Sequence, residues 1–146
     1  RPGAPRVARE GGAAGAGAAW AARTITAAPG SEYRRRFNEV RGGHGDSMDN
    51  SALDNVFAAQ CVKDDTMAES IALALDAYPE AASAPQVIHW NGRCDSDHGL
   101  GTVERRKTRR PDLNIAVVSM IERHPTAAEP LTEDELNQGH FLILAE

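Results

Sequence analysis

The stretch Ile115–Ile121 (IAVVSMI) is a nearly continuous apolar run. A strand with one wet face alternates apolar and polar residues, whereas a strand covered on both faces has no need to. Strands of the second kind belong to parallel sheets whose crossovers place helices over both faces. Phe141–Ala145 (FLILA) has the same character and predicts a last buried strand. A further strand is predicted at Gln86–Trp90, with Val87 and His89 on one face and Ile88 and Trp90 on the other.

The rest of the pattern is helical. Ser31 is placed to cap a helix over Glu32–Arg41 that Gly42-Gly43 would end, with Tyr33, Phe37 and Val40 forming its apolar face. A long helix is predicted from near Ser51, where Ser-x-x-Asp54 resembles a capping box, to Pro79. Its apolar stripe runs Leu53, Val56/Phe57, Cys61, Met67/Ala68, Ile71, Ala74/Leu75 and Tyr78. Gln60 and Asp64 fall in that stripe, stacked on one side and in need of partners. Asp65, Glu69 and Asp76 lie off it, where solvation is expected. Leu100–Arg110, closed by Pro111, predicts another helix, and Thr132-Glu-Asp-Glu135 is a capping box for a short one. The order is helix, helix, strand, helix, strand, short helix, strand: an α/β fold with a small, mostly parallel sheet and covering helices.

Composition sets the domain boundary. Residues 1–30 are mostly Ala, Gly, Pro and Arg without periodicity, which predicts a low-complexity tail ahead of a domain at 31–146. A formal charge of −5 argues against nucleic-acid binding. The basic run Arg105–Arg110 is expected to be a solvated helix face balanced by the acidic remainder. Two cysteines, Cys61 and Cys94, are too few for a disulfide framework. The sequence shows neither a signal-peptide core nor an apolar run long enough to span a membrane.

Site chemistry concentrates in the loop after Trp90, NGRCDSDHGLGT. In an open parallel sheet, ligands sit at the carboxyl ends of the strands. Asp97 and His98 are therefore the first candidates for a metal or haem-iron ligand set, since imidazole suits transition metals and haem iron. Asp97 as a simple helix cap is the plainer alternative. Asp64 and His89 are further candidates, and His44 in the Gly-rich turn after the first helix is another. Gln60, Asn91 and Asp95 would support them. Cys94 lacks a visible activating base, and Gly99-Leu-Gly101 lacks the third glycine of a dinucleotide loop.

AQCVKDDTMAESIA (Ala59–Ala72) and VIHWNGRCDSDHGLGTVERRKTRRPDL (Val87–Leu113) resemble the second half of the ChaN-type haem-binding uptake proteins. That family belongs to the superfamily containing Tiki, TraB and erythromycin esterase-like proteins. The GGHG turn at Gly42–Gly45 and the ending NQGHFLILAE are similar to it too, so that the resemblance covers residues 31–146. The positions that match its motifs are Gln60, Asp64, Met67, His89, Asn91, Gly92, Asp97, Gly99 and Gly101. Two departures stand out. Residues 1–30 carry no strand with the family's Gly-Glu-x-His-like motif, so the fold is expected to lack the family's N-terminal strands. In the loop, Cys94 and Asp95 stand where the family usually has Phe and His.

The resemblance implies haem or iron binding in bacterial haem or iron uptake, by a binding protein more than an enzyme; the loop residues His98 and Asp97 are those expected to hold the haem, iron or another divalent metal. It also implies a periplasmic or membrane-associated location. The alternatives are a metal-dependent hydrolase of the Tiki or erythromycin esterase-like type, using Asp64, His89, Asp97 and His98, and an inactive truncated member. A thin sheet leaves edges open, so a homodimer or a partner chain completing it is expected.

Overall fold

The computed structural model describes residues 31–42, 50–77, 86–124 and 129–145. The predicted ligand His44 and the helix end at Tyr78-Pro79 lie outside them. The chain is an α/β fold in the order α1 (Glu32–Gly42), α2 (Asn50–Asp76), α3 (Thr102–Arg109), β1 (Val118–Glu122), α4 (Glu133–Leu136) and β2 (Phe141–Ala145). Two single 3-10 turns, Arg93–Asp95 and Asp97–Gly99, precede α3. Among the described residues no helix is long and apolar enough to cross a membrane.

The core lies between helices. Tyr33 and Phe37 of α1 meet Phe57 and Cys61 of α2, with Leu53 and Leu100 packed against them. The Phe57 ring sits 5.1 Å from Phe37 and 5.7 Å from Tyr33, tilted in both pairs. Such tilted aromatic pairs add about 0.5–1.5 kcal/mol each beyond their area. Tyr33, Phe37, Phe57 and Cys61 of the predicted stripes thus meet as expected, whereas Val40 and Val56 of the same stripes are exposed. Thr132 caps α4 as its sequence predicts: its Oγ1 accepts the Glu135 N–H at 3.2 Å, and the Glu135 carboxylate accepts the Thr132 N–H at 2.7 Å.

The sheet is a parallel β1–β2 pair in the register Val118↔Phe141 to Glu122↔Ala145, with α4 in the connection. Parallel pairing agrees with the apolar runs, but the covering predicted for them does not. Alternate β1 residues are exposed, and Phe141, Ile143 and Leu144 of β2 are exposed as well. The helices pack on one another instead, α3 against α2 and α1 against α2. Gln86–Trp90 forms no strand among the described residues, with Ile88 and Trp90 in solvent. An alternating pattern specifies what a strand would bury; it does not supply the neighbouring strand that makes it one.

Two charge predictions are also overturned. Asp65 is fully buried, as are Arg105 and Arg106 of the basic run. Residues 61, 64, 65 and 68 share one face of α2, and that face meets α3.

Candidate functional site

The segment from Gly92 to Gly101 joins the preceding stretch to α3, and its side chains divide between two directions. One set turns inward to α2. The Asp95 carboxylate accepts the Gly92 N–H at 3.0 Å and the Gln60 amide at 2.5 Å, and Lys63 pairs with it at 2.8 Å. A single 3-10 turn brings Gly92 and Asp95 that close. Beside them Asp64 is fully buried. It accepts the Tyr33 hydroxyl at 2.5 Å and the Thr102 hydroxyl at 3.1 Å. Asp65, one residue on, takes Arg105 Nε at 3.1 Å and Arg109 Nη2 at 2.7 Å. Arg105 also donates to the Gly101 carbonyl at 3.0 Å, which ties α3 to the end of the loop.

Burial decides the electrostatics here. It pushes the Asp64 carboxyl up to about 6, against the pull of the Tyr33 and Thr102 hydrogen bonds and the Arg105 charge; Asp95 adds to the rise. Tyr33 is raised, by burial first and then by its bond to Asp64, so its phenol keeps its proton at neutral pH. The Cys61 thiol rises to about 11 for the same reason, burial.

The raised Asp64 value links stability to pH. The folded state holds this proton more tightly than the unfolded state, whose carboxyl titrates near 3.8. Stability from this group is therefore complete below pH ~4 and declines as pH rises to about 6, by on the order of 2–3 kcal/mol. Urea unfolding of the wild type and Asp64→Asn between pH 4 and 7 tests this. The slope is expected to flatten in the variant, and an unchanged slope would refute the assignment.

The second set of side chains turns outward. Arg93, Cys94, Asp97 and His98 line a cavity of about 440 Å³, together with Tyr33, Phe37 and Val40 of α1 and Leu100 beyond the loop. Arg36 and Glu39 of α1, Asp134 of α4 and Gln138 complete its wall. That volume falls within the range of about 300–1,000 Å³ typical of small-molecule sites. His98 is pinned in the left-handed region (φ 59), its N–H donating to the Gln138 carbonyl at 2.8 Å. Histidine visits that region more readily than most residues, but holding it there costs on the order of 1 kcal/mol. The His98 ring faces Asp134 at 3.9 Å. Asp97 accepts the Ser119 hydroxyl at 2.6 Å and Arg93 Nε at 3.0 Å, so it anchors the loop to β1 and does not cap α3, whose N-cap is Gly101.

Of the residues predicted for a site, Asp97 and His98 line this cavity; Asp64, Gln60 and Asp95 form the inner network. His89 and Asn91 are exposed on the stretch before the loop. Among the described residues no group of three or more His, Cys, Asp or Glu side chains could hold a metal ion. Asp64, His89, Asp97 and His98 thus do not converge as a metal centre. Both cysteines are free, Cys61 buried and Cys94 exposed. Sequence reasoning passed over Tyr33, Arg36 and Asp134 as cavity residues. Tyr33 had been assigned to an apolar face, and Arg36 meets Asp134 only through the tertiary fold.

The sequence model described as "Haem-binding uptake, Tiki superfamily, ChaN" matches residues 1–105, from the Ala/Gly-rich start to the middle of α3. The match includes the inner network and the cavity loop. No curated protein and no solved structure matches the chain.

Proposed function

This chain belongs to the ChaN family of haem-binding uptake proteins in the Tiki superfamily, and from that premise we propose that it binds haem in the cavity between α1, the Gly92–Gly101 loop and α4. The observation that carries the reading is the cavity itself. An imidazole, His98, lines it together with the apolar Phe37, Val40 and Leu100. A free metal ion asks a protein for three or more ligands. A haem iron arrives with four porphyrin nitrogens and needs one or two more, which a single histidine can begin to supply. Tyr33 also lines the cavity, but its hydroxyl donates to Asp64 and keeps its proton, so the phenolate that iron would want is not offered. His98 is the residue we assign to the iron.

When bound, the haem would supply a ligand-binding iron; the protein's own part is to shelter the ring and orient His98. That is binding and delivery, not catalysis, and it places the protein in haem or iron uptake. Its location would be the periplasm or the cell surface, where uptake begins.

Haemin titration followed by absorption tests the reading. The expected result is a shifted Soret band saturating at one haemin per chain. His98→Ala is expected to lose that band position and weaken binding at least roughly tenfold, the scale on which metal-supporting groups act. A titration with no shift, or one identical in His98→Ala, would overturn it.

A further inference from the structure

The cavity lining includes two guanidinium groups that keep donors in reserve. Arg36 commits Nε to Glu32 at 2.8 Å and Nη2 to Asp134 at 2.8 Å. Arg93 commits Nε to Asp97 at 3.0 Å and Nη2 to Gln138 at 2.9 Å. Neither Nη1 donates to another described residue. The two side chains come from different elements, α1 and the loop, and both line the cavity along with Phe37, Val40 and Leu100. Each guanidinium is thus oriented by partners already in place, with one face of its fork uncommitted.

We propose that Arg36 and Arg93 form a carboxylate clamp that makes this site selective for a porphyrin bearing free carboxylates. The proposal rests on the haem reading above. A guanidinium presents its donors in a plane that matches a carboxylate, and a hydrogen bond between two charged groups is about twice as strong as a neutral one. Holding each Arg by Asp134, Asp97 and Gln138 removes the cost of ordering a long side chain at the moment of binding. The same partners also set an opposing force. Glu39, Asp97 and Asp134 put carboxylates on the wall, and these repel a dianionic ligand. Each clamp guanidinium therefore bridges a protein carboxylate and a ligand carboxylate.

Parallel titrations with haemin and with haemin dimethyl ester test the clamp, because the ester keeps iron and ring but has no carboxylate charge. Haemin is expected to bind at least roughly tenfold more tightly than the ester, with the difference shrinking as salt is raised. Arg36→Met and Arg93→Met are each expected to weaken haemin several-fold and leave the ester unchanged, which separates lost clamping from lost folding. Equal binding of haemin and ester by the wild type, or variants that weaken both alike, overturns the clamp while the haem reading stands. Failure of both ligands to bind overturns the haem reading and the clamp with it.

Discussion

Asp65→Ala is expected to destabilise the fold by about 3–5 kcal/mol, the cost of stripping one partner from a buried ion pair. The Asp65 carboxylate is fully buried and meets two guanidiniums, Arg105 Nε at 3.1 Å and Arg109 Nη2 at 2.7 Å. Without it Arg105, itself buried, keeps the Gly101 carbonyl, the face of the Tyr33 ring 5.2 Å away, and the attraction of Asp64, whose own carboxylate burial disfavours. None of these replaces the direct hydrogen-bonded carboxylate. An internal control is at hand in the exposed pair Arg110–Asp76. Asp76→Ala is expected to cost less than about 1 kcal/mol, because solvent already screens both charges. Urea denaturation of both variants against wild type gives the comparison. A loss below about 1 kcal/mol for Asp65→Ala would mean that the α2–α3 contact does not depend on this charge.

The second large effect is expected at Gly101. Its backbone has φ +55, and a Cβ there would lie 2.7 Å from the Asp95 carbonyl oxygen and 3.0 Å from its carbon. Both neighbours are backbone and have no rotamer through which to yield. Strain at positive φ and the clash together are expected to cost Gly101→Ala about 2–4 kcal/mol. They would also push the Asp95 turn away from Gln60 and Lys63. Gly99 separates the two causes: its φ is +69, but the nearest atom to an added Cβ is the end of a flexible lysine, Lys107 Nζ at 3.9 Å. Gly99→Ala should therefore lose only about 1 kcal/mol, the conformational part alone. Thermal melts of the pair decide it. Equal losses would mean that the close approach of Gly101 to Asp95 does not matter.

These two sites show where sequence reasoning reached and where it stopped. The capping box at Thr132 and the aromatic stripe of α1 are short-range signals, and both form as their spacing requires. Asp65 was assigned to solvent because a single apolar stripe was traced along α2. Its partners lie 40 and 44 residues further on, and a helical period is silent about a second packed face. The loop was legible as a concentration of polar groups, and His98 and Asp97 do line the cavity. Which way each residue turns was not legible. Asp95 points to α2 while Cys94 and His98 line the cavity, because consecutive 3-10 turns follow neither the helical nor the strand period. Arg106 is as buried as Arg105, yet among the described residues its guanidinium nitrogens have no hydrogen-bond partner.

The β1–β2 pair carries a consequence for the protein as a colloid. Val118 and Met120 stand in register with Phe141 and Ile143, and all four are exposed on an apolar surface. Neither strand contains the lysine or proline with which sheets commonly blunt their edges. Above some concentration such a surface meets its like more often than a net charge of −5 can deter. Solubility of this chain is therefore expected to follow its two-stranded sheet, while its stability resides in the helices.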